Sequence, residues 1–348
     1  MVIFGLQVIT RRIKNSMVNT KRILSITHEQ DVDGLFCGAI LKNSFPDTLV
    51  FLTNYGQENM KRVSEIIKFN ISRSTKTGTV VISDLGIDNR SDLEPIEEAA
   101  YRSKNYGWDF VWLDHHSWDK EIKLKVESFA TLILSDDNNS KEKKCASELV
   151  VQQFASNRTA CQRMGIFAHI VDFRLPKVRT LPPLPELITY YRSLPDSYNK
   201  LHLIVNKASK GIFWDEELQE EYETKYLPLK ESAMSSTMKS LSIHDINGLM
   251  VGIAESPRIL PKSLLSEKIF EEKPWVKLVV LYSPDGRVSI RRKPETSIKC
   301  DRIAHKMSGG EGGGHSYAAA GMIKNTNDEA LKLSTIVQEL QKSLETYE

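Results

Sequence analysis

Cysteine is scarce in this chain and widely spaced. Cys37, Cys145, Cys161 and Cys300 form no Cys-x-x-Cys pair, which excludes a zinc ribbon and fits reduced thiols in a cytoplasmic protein. No apolar run reaches the roughly 18 residues that span a bilayer, so no membrane partner is expected. The first 25 residues carry five basic and no acidic side chains. Their apolar stretch contains Gln7 and lacks a small-residue cleavage site, so it does not read as a signal peptide, and Met17 stands as an alternative start. Neither sign of charge dominates: 47 Lys+Arg against 45 Asp+Glu leave +2. That balance excludes a DNA-coating protein and confines any nucleic-acid affinity to local patches. No internal repeat is evident. What is present, 348 residues at 41% hydrophobic, allows about two domains of roughly 100–200 residues with real cores.

From Arg22 to about Asp172 short β-branched runs alternate with helical patterns. Ile23–Thr27, Thr48–Thr53, Thr79–Ser83, Phe110–Leu113 and Thr131–Ser135 read as strands. Leu35–Lys42, Asn59–Phe69, Asp92–Ser103, Ala146–Ala155 and Arg158–Phe173 read as helices. Continuous apolar strands separated by helices predict an α/β, doubly wound, mostly parallel sheet covered on both faces. Ligands of such sheets gather beyond the carboxyl ends of the strands. Leu175–Pro195 holds five prolines and reads as part of a linker. Residues 212–231, with seven acidic and two basic side chains, read as a solvated helical face. A second, smaller α/β module is predicted from about Ile246. Its strands are Gly248–Ala254, Val276–Tyr282, Val288–Arg292 and Tyr317–Ile323, and Ala330–Leu344 closes it as an amphipathic helix.

The chemistry-bearing residues follow strands. Thr27–Gly34 reads T-H-E-Q-D-V-D-G, placing His28, Asp31 and Asp33 after the first strand. Asp84 follows the third strand, and Asp114-His115-His116 the fourth. Asp172 ends a helix, where a carboxylate meets the negative end of the dipole and needs compensation. Asp31, Asp33, Asp84 and Asp172 together match two divalent ions held about 3.5–4 Å apart. Imidazole and carboxylate without thiolate suit Mn²⁺ first, with Mg²⁺ or Co²⁺ as alternatives. The implied chemistry is in-line attack of an activated water on phosphorus. In the second module, Gly312, Gly313 and Gly314 precede His315 with no Lys-Ser/Thr after them, so this is not a nucleotide P-loop. Their backbone amides can approach an anion closely. Asp285–Lys306 carries seven basic and three acidic residues, and an arginine there could grip a second phosphate.

In this order D-x-D-G, strand–Asp, D-H-H, a later Asp, G-G-G-H and A-A-A-G resemble the DHH phosphoesterase family with a C-terminal DHHA1 domain. The resemblance implies a DHH catalytic domain over 22–174, a linker and helical segment over 175–244, and a DHHA1 substrate-binding domain over 245–348. Residues 1–21 remain as an extension, and a cleft is expected between the domains. It assigns His28, Asp31, Asp33, Asp84, His115 and Asp172 to the metals, with Asp84 bridging. His116 would contact the scissile phosphate, and Asp114 would orient its neighbours. Ser289, Arg291, Gly312, Gly313, Gly314 and His315 would hold the non-scissile part of a nucleotide. One departure stands out: His28 precedes Asp31 by three residues, where many members have four. The expected activity is a two-metal phosphodiesterase of exonuclease type acting on single-stranded or short RNA or DNA. The alternatives are a cyclic-dinucleotide or phosphoadenosine-phosphate phosphoesterase and a non-catalytic RecJ-like replisome partner. A homodimer or a replication or repair partner is also compatible with the resemblance.

Overall fold

The computed structural model describes residues 22–87, 89–116, 118–135, 143–175, 180–310, 312–323 and 333–345. The N-terminal extension expected at 1–21 and the first residues of the closing helix lie outside these. The chain divides into two compact units, Met1–Pro182 with Tyr198–Phe213, and Pro183–Ser197 with Trp214–Glu348. Among the described residues no helix is long and apolar enough to cross a membrane.

In the first unit β1 (Arg22–His28), α1 (Val32–Ser44), β2 (Leu49–Thr53), α2 (Gln57–Ser72), β3 (Gly78–Ser83), α3 (Arg90–Asn105), β4 (Asp109–Asp114), α4 (Lys120–Glu127) and β5 (Thr131–Leu134) alternate along the chain. The strands form one sheet in the order β2-β1-β3-β4-β5, and every neighbouring pair is parallel. A parallel sheet is covered on both faces, which is why β3 is buried at all six positions and reads as an unbroken apolar run. One face packs Leu24, Ile26, Val80, Ile82 and Trp112 against Ile67, Ile71 and Ile96 of α2 and α3. Each such side chain contributes about 1.5–3 kcal/mol when fully buried. The other face takes α1 and then α5 (Ala146–Phe154) and α6 (Thr159–Asp172).

This strand order reverses between β1 and β3. The chain leaves β1 toward one face and β3 toward the other, so their carboxyl ends flank an open crevice. Close backbone approach shapes it: a Cβ at Gly34 would sit 2.3 Å from the His28 carbonyl oxygen, so only glycine allows α1 to start there.

The second unit begins with α7 (Leu184–Arg192), inside the proline-rich stretch read as linker. Pro185 falls in the first turn of this helix, where its missing N–H costs nothing. The next helix, α8 (Ser197–Ser209), belongs to the first unit from Tyr198 on; the second resumes with α9 (Glu216–Glu221), one π-helical turn at Tyr222–Tyr226 and α10 (Leu227–Ser240). Then follow β6 (Ser242–Ile246), β7 (Leu249–Glu255), α11 (Lys262–Glu272), β8 (Leu278–Tyr282), β9 (Arg287–Arg292), α12 (Cys300–Met307), β10 (Gly313–His315), β11 (Ala318–Met322) and α13 (Leu333–Glu345). The sheet runs β10-β11-β9-β8-β7-β6, antiparallel except for β7 with β8. Val280, Ile290 and Ala319 pack on one face against Ile303, Ala304 and Met307 of α12 and Ile336 and Leu340 of α13. The short strand β10 lies in what the sequence reads as a glycine-rich loop.

Candidate active site

All eight chemistry-bearing residues expected in the first unit meet at the carboxyl ends of β1, β3 and β4. His28 ends β1, and Asp31 caps α1, its Oδ1 accepting from the Gly34 N–H at 3.1 Å. Asp84 follows β3 with φ at +57°. That left-handed backbone is uncommon for a residue with a Cβ and, where the surroundings enforce it, gathers at functional sites. The Asp84 N–H donating to the Leu113 carbonyl at 3.0 Å holds it. His28 Nδ1 lies 3.6 Å from Asp31 Oδ2 and 3.5 Å from Asp84 Oδ2. His115 Nε2 lies 3.2 Å from Asp84 Oδ1 and 3.8 Å from Asp33 Oδ2. Asp172 Oδ2 stands 3.6 Å from Nδ1 of the same ring. Two triads therefore share one carboxylate: His28, Asp31 and Asp84 on one side, Asp84, His115 and His116 on the other.

The electrostatics fit a cation. Asp84 is 1% exposed, and its Oδ2 accepts no hydrogen bond. Burial, and next the negative charges of Asp33 and Asp31, push its carboxyl well above the usual range. Asp172 Oδ2 is likewise buried without a hydrogen bond, and burial with nearby carboxylates lifts this group to about 6. Buried carboxylate oxygens without donors are costly, and divalent cations bound by these oxygen and imidazole donors would remove that cost. The cysteines are not donors here; all four are buried free thiols.

Asp114 sits differently. It is fully buried, yet Oδ1 accepts from His116 Nδ1 at 2.8 Å and Oδ2 accepts from the Trp118 indole at 2.6 Å. Burial alone would raise it, but the charge and hydrogen bond of His116 outweigh burial and hold it at about 2. Conversely, burial works against a charged His116, and Asp114 overrides it, holding the imidazole up at about 9. His116 is thus an imidazolium at neutral pH, with Nε2 3.5 Å from the Tyr55 hydroxyl.

Several functional neighbours escaped the sequence reading. Tyr55 packs against His28 with the rings tilted by 55° and their centroids 4.5 Å apart; its only signal was Asn-Tyr-Gly after a strand. The first peptides of α5 hold Asp33: Ala146 N–H donates to Oδ2 at 2.7 Å and Ser147 N–H to Oδ1 at 2.8 Å, while the Ser147 hydroxyl bonds the Asp33 carbonyl. A carboxylate at a helix N-terminus is stabilised by these donors and by the dipole. Glu148 accepts from Cys145 N–H at 3.1 Å and from His169 Nδ1 at 2.6 Å. That ties α5 to α6 one turn before Asp172.

In the second unit the register brings the other expected residues together. His315, Ala318, Arg291 and Val279 lie side by side across β10, β11, β9 and β8, with Gly313, Ala320, Ser289 and Leu281 in the next row on the same face. His315 and Tyr317 stack with rings 6° from parallel. The glycines are structural requirements: a Cβ at Gly312 would meet the Ala304 oxygen at 2.4 Å, and Gly314 has φ +134°.

Residues 264–346 match the model of the DHHA1 domain. That match falls within the second unit; the parallel sheet and the acid–imidazole cluster belong to the first. The chain carries a DHHA1 domain. It is similar to a 3′,5′-cyclic-nucleotide phosphodiesterase of Helicobacter pylori, 28% identical over 124 residues, which cover 35% of this chain and 33% of that protein. The match thus spans about a third of that relative's length. The fold is similar to that of an exopolyphosphatase-related protein from Bacteroides fragilis, with TM-score 0.57, 16% identity and 98% of each chain covered. It is also similar to RecJ in complex with Mn²⁺ from Thermus thermophilus, with TM-score 0.54 and 16% identity over 99% of this chain and 54% of that one.

Proposed function

We propose that this chain is a two-cation phosphodiesterase of exonuclease type, hydrolysing single-stranded or short oligonucleotides. One observation carries the reading: Asp84 lies within reach of both His28 with Asp31 and His115 at the strand-order reversal of a parallel sheet. His28, Asp31 and Asp84 would hold one divalent ion, and Asp33, Asp84, His115 and Asp172 the other, with Mn²⁺ the first choice. When bound, such a pair activates water and offsets charge on phosphoryl oxygens. The protein's own part is positional and electrostatic. His116, kept protonated by Asp114, donates from Nε2 to an oxygen of the scissile phosphate, and Trp118 and Tyr55 keep that ring from turning away. In the DHHA1 domain Arg291 and His315 grip the rest of the nucleotide, over the shallow floor that Ala318, Ala320 and Gly313 leave.

The Helicobacter pylori relative favours a second reading, a cyclic nucleotide as substrate. One panel separates them: RNA and DNA of two to about thirty nucleotides, cyclic mono- and dinucleotides and phosphoadenosine phosphate, each with Mn²⁺. Stepwise shortening of oligonucleotides supports the exonuclease reading, and cleavage of cyclic nucleotides alone overturns it. Arg291→Ala is expected to raise KM more than about tenfold with little change in kcat.

A further inference from the structure

The turn between α11 and β8 carries Trp275, and of the five tryptophans in the chain it alone is exposed, at 53%. Aromatic rings hold the largest apolar area of any side chain and are buried on average. The backbone under this one is fixed. Val276 N–H donates to the Lys273 carbonyl at 3.0 Å, Lys277 N–H to the Met250 carbonyl at 2.9 Å and Lys293 N–H to the Lys277 carbonyl at 3.0 Å. The Lys293 ammonium donates to the Pro274 carbonyl. Charge of one sign surrounds the ring. Lys273 Nζ lies 5.6 Å from its centroid, and Lys293 Nζ 5.7 Å from that of Phe270. Among the described residues neither lysine forms a salt bridge. Arg292 is turned to carbonyls, donating to Ser316, Lys293, Pro294 and Thr296. Phe270–Lys277 and Arg291–Lys299 together carry six basic and three acidic side chains; Glu272 pairs with Lys268 at 3.0 Å and Glu295 with Lys277 at 3.5 Å.

We propose that Trp275, with Lys273 and Lys293, is a stacking platform for single-stranded nucleic acid, taking a base beyond the nucleotide held at Arg291 and His315. The register puts it at the right end of the sheet: Leu278 pairs with Arg292, and Arg291 pairs with Ala318, which pairs with His315. Trp275 lies four residues before Val279, the partner of Arg291, so the backbone there is no more than ~14 Å away even if fully extended. The chemistry of the patch selects its occupant. Every base has a π-face, so an indole takes any of them, while ammonium groups meet the backbone phosphates on either side. Lysine is depleted at protein–protein interfaces, which argues against a protein partner here. The inference rests on the phosphodiesterase reading and deepens it: chains of several nucleotides become better substrates than dinucleotides or cyclic nucleotides.

The test separates binding from turnover. The full chain in EDTA is titrated with oligouridylates of two, four, eight and twelve nucleotides lacking end phosphates, read by calorimetry and by tryptophan fluorescence. Affinity should rise about five- to a hundredfold from the dinucleotide to the octamer, the size of a stacked base, with the fluorescence quenched alongside. Trp275→Ala should lose both the rise and the quench, Trp275→Phe should keep most of the rise, and all three proteins should bind the dinucleotide alike. Lys273→Gln should make the log–log salt dependence of octamer binding shallower by about 0.7. Length-independent affinity in wild type, or an undiminished rise in Trp275→Ala, overturns the platform. So does a dimer seen by sedimentation that Trp275→Ala breaks while affinity stays independent of length, since the ring then joins copies of this chain. Turnover with Mn²⁺ is read separately. Length-dependent binding through Trp275 without hydrolysis of any oligonucleotide sinks the phosphodiesterase reading and leaves the platform standing; hydrolysis of long and short chains with the same KM in wild type and Trp275→Ala does the reverse.

Discussion

Replacing Asp114 by Asn removes the charge that sustains the His116 imidazolium while keeping the shape of the side chain. Lifting an imidazole from its ordinary 6.5 to about 9 corresponds to about 3 kcal/mol between its two protonation states. Because the folded value is the higher one, this stabilisation is complete below about pH 6.5 and disappears as the pH climbs through 9. In Asp114→Asn the imidazole should fall to its ordinary value or below, since burial then acts unopposed. At pH 8 the protonated fraction drops from about 0.9 to about 0.03, roughly thirtyfold. The assay is an NMR titration of the His116 ring in EDTA-treated protein, with thermal melts at pH 6 and pH 9.5. Wild type should show a titration near 9 and a lower melting temperature at the higher pH; the variant should titrate at or below about 6.5 and lose most of that difference. Phosphodiesterase turnover of the metal-loaded variant at pH 8 should fall by about the same thirtyfold. An unmoved His116 titration in the variant would refute the assignment of Asp114 as the cause.

Asp84→Asn should reduce Mn²⁺-dependent hydrolysis by more than about a thousandfold. It should melt no lower than wild type in EDTA at neutral pH, because the lost charge is buried beside Asp33 and Asp31 and weakens the metal-free fold above the ordinary carboxylate range. Retained hydrolysis would remove the shared-carboxylate site. Ser147→Ala takes away the 2.8 Å bond to the Asp33 carbonyl and should cost about 1 kcal/mol in stability and weaken Mn²⁺ affinity about three- to tenfold by calorimetry; unchanged affinity would deny α5 its positioning role. Gly34→Ala forces a Cβ to 2.3 Å from the His28 oxygen and should lower the urea midpoint by the equivalent of about 1–3 kcal/mol, and a neutral result would contradict the packing at the start of α1.

The sequence was most legible where burial and periodicity agree. β3 sits between covered faces, so its apolar run is continuous, and the strands beside it were read to within a residue or two at each end. The acid and imidazole cluster was legible for a related reason: in a parallel sheet every strand's carboxyl end opens on the same edge, so Asp84 and Asp114, sharing no local pattern, had to be neighbours of His28. What depends on tertiary contact was not legible. Nothing in Cys-Ala-Ser-Glu says that two of its peptides will cap an aspartate 113 and 114 residues earlier. Tyr55 and Trp118 read as ordinary aromatics, because the partners that give them a role lie 61 and 4 residues away with no helical or strand period between them. α7 was hidden by its own composition: a proline in a first turn looks like a breaker until its position in the helix is known.

Two carboxylates of the site illustrate why it can be both charged and ordered. Asp33 is buried at 3% exposure, yet each of its oxygens accepts a peptide N–H from α5, so it stays fixed whether or not a cation is present. Asp84 is equally buried but has one oxygen with no donor and a backbone in the left-handed region. It is the member that has most to gain from a cation. Shared between the two triads, it would couple them, since cations held with His28 and Asp31 on one side and with His115, whose Nε2 lies 3.2 Å from Asp84 Oδ1, on the other would draw on one carboxylate. A rigid carboxylate anchored by a helix and a strained one with an oxygen that accepts no hydrogen bond would thus divide the work, the first fixing where cations sit and the second disfavouring the metal-free state.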